Sequence, residues 1–334
     1  MRFSLKEYNT FGVNVLCHKA VRINSEQKLK ETIERDANDK LIIGGGSNIL
    51  FTKDIEETVM INQLIGKQII EEEKKHVLVR FGSGELWHDC VEWAVENDFG
   101  GIENLALIPG TMGAAPIQNI GAYGVELKDV FHSLEAYDLI WGEKRIFTKE
   151  ECNFGYRDSI FKNELKGEYF ISKVTLKLTV GKHKLKLNYG EIKKTLAEND
   201  IDEPEIDDVF EAIVEIRTEK LPDPEEFPNA GSFFKNPEIS MPHFEKLKSE
   251  FPDIKHFINE EKNNVKIPAA WLIEQCGWKG KRLGDVGVSE KHALVLVNYD
   301  GKATGGELVS LSKKIQKSVL EKFDVKLFPE VNIY

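Results

Sequence analysis

The chain has 334 residues, 41% apolar, 30% charged and 10% aromatic, with a formal net charge of −11 and a pI near 5.4. That length suggests two or three domains around a substantial buried core. The acidity argues against nonspecific nucleic-acid binding, which needs a basic face. It still admits an anionic small ligand, because a few placed cations and backbone N–H groups make a local positive site. The opening MRFSLKEYNTFGV has no basic segment followed by an apolar one, and no apolar run reaches the ~20 residues that span a bilayer. A cytoplasmic protein without membrane insertion is expected. Cys17, Cys90, Cys152 and Cys276 lie far apart with no C-x-x-C pair. Reduced thiols are expected, with neither a disulfide framework nor a metal site.

VRINSEQKLKETIERD (21–36) reads as a short strand and then a helix capped by Ser25, with Leu29 and Ile33 on its apolar face. LIIGGGSNILF (41–51) reads as a buried strand, a glycine turn and a second apolar run. EEEKK (71–75) is expected at a solvated hairpin tip. HVLVRFGSGELWHDCVEWAVEND (76–98) predicts a strand, a G-S-G turn and a helix with Leu86, Cys90, Val91, Ala94 and Val95 inward. A long glycine-rich loop follows at 100–124, and such loops inside a domain are usually functional. Strands are expected near 134–140, 145–148, 169–180 and 209–217. LPDPEEFPN (221–229) marks a domain boundary by its three prolines. Helices are predicted within KIPAAWLIEQCGW (266–278) and over 305–322. A strand is predicted at 292–298, with a last one holding Pro329 and Glu330.

Several stretches carry candidate chemistry. GGGSN (44–48) is neither a dinucleotide fingerprint nor a Walker A motif, since Ile49 stands where a glycine is required. Its consecutive N–H groups suit an anion nest; a tight hairpin turn is the plainer alternative. IPGTMGAAPIQNIGAYG (108–124) packs small residues closely, which lets backbone approach a flat or charged ligand. Gln118 and Asn119 there offer side-chain hydrogen bonds, and a loop packed on a sheet is the alternative. Two such loops in one region favour a phosphate-bearing cofactor. FGYRDS (154–159) sets Arg157 between an aromatic and a carboxylate, suited to a bidentate carboxylate contact or to a surface ion pair. Arg217 and Lys220 suit phosphate or a solvated charge run. Tyr189, in NYGE (188–191), lies in a turn. Glu330 is either solvent-facing on an edge strand or buried with a raised pKa. PNAGSFFKNP (228–237) holds Ser232 in a glycine- and proline-bounded turn.

In this order the motifs resemble the UDP-N-acetylenolpyruvoylglucosamine reductases, from NTFGV (9–13) to PEV (329–331). The most specific pieces are GGGSN, IPGTMGAAPIQNIGAYG, FGYRDSIFK, NAGSFFKNP and PEV, and the NYG segment looks like the type I branch. The resemblance implies an α+β chain with the FAD-binding fold of the vanillyl-alcohol oxidase (PCMH-type) superfamily and an additional α/β substrate-binding domain. The implied parts are 1–66 with 323–334, 67–220, and 221–322. It further implies noncovalent FAD, NADPH as hydride donor, UDP-N-acetylglucosamine enolpyruvate as substrate, and a monomer. Arg157, Ser232 and Glu330 would be catalytic, with Ser232 giving a proton, assisted by Lys235 or water. Gly44, Gly45, Gly46, Ser47, Asn48, Pro109, Gly110, Thr111, Gly113, Ala114, Ala115, Asn119, Ile120, Gly121 and Arg217 would hold FAD. Tyr123, Tyr156, Tyr189, Lys220, Asn236 and Gln275 would hold the UDP-sugar. Asn332 departs from the family pattern, where many members have arginine, so looser flavin retention is expected. A flavin oxidase of the same superfamily would share the glycine loops without needing NAGSFFKNP or the terminal glutamate. A silent nucleotide-binding protein would have no use for Arg157, Ser232 and Glu330 together.

Overall fold

A computed structural model describes residues 2–259 and 263–334. The chain divides into two compact units. One comprises Met1–Phe3, Cys17–Gly45 and Ile55–Arg217; the other comprises Ser4–Leu16, Gly46–Asp54 and Thr218–Tyr334.

In the first unit, strands Leu16–Ile23 and Lys40–Ile43 both run parallel to Ile55–Asn62. The crossover helix Glu26–Arg35 starts where Ser25 accepts a hydrogen bond from Lys28 N, as the sequence predicts. It buries Leu29 and Ile33 in a cluster with Ile23, Met60, Tyr137 and Phe170. An antiparallel sheet in the same unit orders its strands Lys144–Thr148, Phe131–Asp138, Tyr169–Val180, His76–Gly82 and Lys67–Glu72. The last two form the hairpin expected at EEEKK. Helix Trp87–Glu96 packs on the main core through Trp87, Cys90, Val91 and Ala94.

Two expectations fail here. Leu86 is not inward: it stands at the helix cap, 51% exposed, and Trp87 takes the buried position. Residues 209–217 are no strand but part of the helix Ile206–Lys220. Its buried residues Ile206, Val209, Ala212, Ile213 and Ile216 fall at spacings of three and four, the helical period.

In the second unit, Asn229–Ser232 pairs antiparallel with Val295–Asn298, which pairs with Val286–Val288. Helices Ala269–Gln275 and Gly305–Phe323 lie where the sequence places them. The C-terminal strand covers Asn332–Ile333, parallel to Ile49–Leu50. Pro329 and Glu330 are outside it, since proline lacks the N–H a ladder needs; Pro329 makes an isolated bridge to Phe234. The hairpin reading of GGGSN also fails. The strands on its two sides pair with different partners, Ile55–Asn62 before it and Asn332–Ile333 after it.

Candidate active site

The two glycine-rich loops touch through residues of the first unit. A side chain at Gly44 would collide with Thr111 Oγ1, and a Cβ at Gly45 would sit 3.0 Å from Gly110 Cα. Only glycine allows this approach. Gly110, Met112 and Gly113 are held by bonds from Trp87 N to Gly110 O (3.0 Å), Met112 N to Glu85 O (2.8 Å) and Gly113 N to Ser83 O (2.8 Å). Pro109 and Ala114 are exposed, and Ala115 and Ile120 are buried. Thr111 Oγ1 is buried and has no hydrogen-bond partner among the described residues. A glycine cradle with an unsatisfied hydroxyl suits a phosphate-bearing cofactor, which would supply the missing partner.

Asn119 is fully buried in the left-handed region, φ 44°. Its Nδ2 donates to Gly155 O (2.9 Å) and its Oδ1 accepts from Lys128 N (2.9 Å). Its side chain therefore serves the fold, and its N–H is turned back to Pro116 O at 3.4 Å. Arg157 also has a positive φ, 52°, which is uncommon for a long side chain. Its Nη2 donates to Gly121 O, and a Cβ at Gly121 would sit 3.0 Å from Arg157 Nη1. Val125 O (2.8 Å) and Glu126 Cγ (2.9 Å) would be nearer still, so the glycine serves its own hairpin as well as the guanidinium, which lies 5.4 Å from the Tyr156 ring centroid. Asp158 accepts from Asn163 Nδ2 at 3.0 Å.

Tyr123 meets the Tyr189 ring edge-on at 6.4 Å, and its hydroxyl lies near Arg217. Burial raises the Tyr123 phenol above its ordinary pKa against the pull of Arg217; burial lowers Arg217 against the pull of Tyr123. Arg217 Nη2 donates to Leu107 O at 3.2 Å, while its Nε is buried without a partner. Among the described residues no carboxylate pairs with this cation, so the place suits an anionic ligand group.

Ser232 is built by its own strand in the second unit. Gly231, at φ 66°, sits in a register shift between Asn229 and Ser232. Buried Asn229 fixes the bulge, accepting from Gly231 N (2.8 Å) and donating to Phe227 O (2.7 Å). Phe233 and Phe234 are fully buried beside it, whereas Ser232 is exposed. Glu330 N donates to Phe233 O at 2.8 Å, and Lys235 N to Phe328 O at 3.0 Å. Glu330, half-buried, is thereby tied beside the serine's neighbour. Asn236 Oδ1 accepts from Ala269 N (2.8 Å) at the start of the helix that Gln275 ends, exposed. Lys220 is half-buried at the end of its helix.

The remainder of GGGSN belongs to this second unit. Gly46 has φ 65°, and a side chain there would collide with Tyr8 O. Asn48 O accepts from both Asn332 N and Asn332 Nδ2, each at 3.1 Å. Asn332 therefore spends its amide on the loop. Ser47 and Asn48 are half-buried. Sequence reasoning missed Asn229 and Asn104, whose amides organise the serine bulge and the tyrosine region. The signal was a lone asparagine within an apolar or glycine-flanked run. Among the described residues, no helix is long and apolar enough to cross a membrane, and no group of three His, Cys, Asp or Glu could hold a metal ion.

The C-terminal domain family of the UDP-N-acetylenolpyruvoylglucosamine reductases matches residues 223–334, and an FAD binding domain family matches residues 19–143. A UDP-N-acetylenolpyruvoylglucosamine reductase of Flavobacterium johnsoniae is 50% identical over 332 residues, 99% of this chain and 98% of that protein. One from Pseudomonas putida is 43% identical over 334 residues, 99% of this chain and 97% of that protein. The crystal structure of the Thermus caldophilus enzyme superposes with a TM-score of 0.68 at 24% identity, covering 100% of this chain and 98% of that one. At that identity it shows the fold, and it bears out the expected α+β, FAD-binding architecture. With half its residues shared along nearly its whole length, the chain belongs to the UDP-N-acetylenolpyruvoylglucosamine reductase family.

Proposed function

We propose that this chain uses FAD to reduce the enolpyruvyl double bond of UDP-N-acetylglucosamine enolpyruvate, giving UDP-N-acetylmuramate for peptidoglycan precursor synthesis. The observation that carries the reading is Ser232: an exposed hydroxyl on a glycine bulge, anchored by two buried phenylalanines, with Glu330 laddered to the next residue.

Gly44 to Asn48, Pro109 to Ala115, Asn119, Ile120 and Gly121, and Arg217 would hold the cofactor. The chemistry FAD would supply when bound is hydride, drawn from NADPH, for the terminal carbon of the enolpyruvyl group. Arg157 holds the substrate carboxylate, where negative charge gathers as that carbon gains hydride. Glu330, in its protonated form, donates to the same developing charge. Ser232 gives its proton to the carbon that bears the ether oxygen, which completes the lactyl ether. Its exposure lets water restore the proton. Tyr123, Tyr156, Tyr189, Lys220, Asn236 and Gln275 hold the UDP-sugar. Asn236 does so through Nδ2, since its Oδ1 already caps a helix. The chain acts as a cytoplasmic monomer, divided as 1–66 with 323–334, 67–220 and 221–322.

The test is a pair of anaerobic half-reactions on the purified flavoprotein. NADPH should bleach the flavin band, and the enolpyruvyl UDP-sugar should restore it. Restoration by oxygen but not by that substrate would overturn the reading in favour of an oxidase.

A further inference from the structure

Side chains alternate between half-buried and exposed along residues 182–188, the stretch that leads into Tyr189. His183, Leu185 and Leu187 are half-buried, while Lys182, Lys184, Lys186 and Asn188 are exposed. Leu185 and Leu187 pack on the core of the first unit. Asn104, fully buried, donates from Nδ2 both to Lys186 O (2.9 Å) and to Tyr123 O (3.1 Å). One amide thus joins the Tyr189 segment to the Tyr123 turn, where the two rings meet. The start of the segment is moored as well. His183 Nε2 lies 2.9 Å from Asp98 Oδ1, and its Nδ1 lies 2.7 Å from Thr179 Oγ1. Asn104 Oδ1 is buried with no partner among the described residues. Burying an unpaired carbonyl is costly, so the residue's place is explained by what its Nδ2 holds.

We propose that Asn104 is a positioning residue: it fastens the Tyr189 segment to the Tyr123 turn, setting both rings before the UDP-sugar arrives. The ligand's identity rests on the function proposed above; the tether does not.

The three exposed lysines make the tether measurable by trypsin. The FAD-loaded wild type, Asn104→Ala and Asn104→Asp are digested without substrate, scoring cleavage at Lys182, Lys184 and Lys186 relative to cleavage elsewhere. That ratio should rise about tenfold in both variants, as local opening follows the lost hydrogen bonds. Aspartate keeps the size but turns an oxygen toward two carbonyls, so it should do no better than alanine. Asn104→Ser, which retains one short donor, should fall between and serves if the others do not fold. In turnover, Asn104→Ala should raise KM for the UDP-sugar about fivefold and leave flavin reduction by NADPH unchanged. Combined with Tyr189→Ala it should add nothing further. An unchanged cleavage ratio would overturn the tether, and additive effects on KM would overturn its action through Tyr189. Absence of turnover in the wild type as well would refute the proposed reaction, while the cleavage ratio would still judge the tether.

Discussion

The contact between the two glycine loops can be tested by filling it. Replacing Gly44 with alanine drives the new methyl into Thr111 Oγ1, while Thr111 Cβ and Cγ2 would stand at 3.5 Å, an ordinary contact. A single atom therefore makes the clash. Thr111 is buried, so the hydroxyl has little room to yield. Overpacking of this kind costs about 1–3 kcal/mol. Thr111→Ala removes the oxygen without losing a hydrogen bond, since Oγ1 has no partner among the described residues. It forfeits chiefly a buried methyl, about 1 kcal/mol. The double variant should thus be no less stable than Thr111→Ala alone, and the pair should couple by about 1–3 kcal/mol. Urea denaturation of the apoprotein measures this independently of any reaction. FAD titration of the same four proteins should show Gly44→Ala binding weakly and the double variant partly recovering. Simple additivity of the two single effects would refute the contact as the reason for Gly44.

Gly231 stands in open space, with no atom within 4 Å of a Cβ, so only its φ of 66° opposes substitution. Gly231→Ala should cost about 1–2 kcal/mol and Gly231→Asn distinctly less, since asparagine tolerates the left-handed region; equal losses in urea denaturation would contradict that. Glu26 responds to acid. Burial works to raise its pKa, but hydrogen bonds from Lys173 and Tyr137 and the charges of Lys173 and Lys144 hold it at about 2, below the ordinary 4.5. A depressed carboxylate stabilises fully above its unfolded value and loses that contribution as pH falls through its folded one. Glu26→Gln should therefore destabilise the protein near neutrality, and the gap should close between pH 4.5 and 2. A gap that does not change with pH would mean that the ion pairs contribute nothing.

What the sequence made legible follows from local physics. The Ser25 cap, the EEEKK hairpin and the helices near 269 and 305 each carry their own signal of cap, turn or period. The glycine loops were legible because few residues other than glycine suit close backbone approach. Residues 209–217 misled because an apolar run beside a proline-rich stretch hides a period of three and four. Leu86 misled because a helix cap looks apolar in sequence yet sits at the surface. The site divided in the same way. Arg157 and Ser232 stand out by residue type and resemblance. What fixes the site residues is less visible: Gly121 beside Arg157, the Asn229 amide across the Ser232 bulge, and, for Tyr123 and Tyr189, Asn104 across more than eighty residues to Lys186. Such contacts exist only once the chain has folded. Asn119, singled out for its hydrogen bonds, spends them on Gly155 and Lys128.

The central claim is that Ser232 supplies the proton, and separating the half-reactions of Ser232→Ala tests it most directly. The variant should bind FAD and be reduced by NADPH at the wild-type rate. Its reoxidation by the enolpyruvyl UDP-sugar should fall by about 100-fold or more, the scale of a lost general acid. Reoxidation at the wild-type rate would contradict the account and leave the glycine bulge without a chemical purpose.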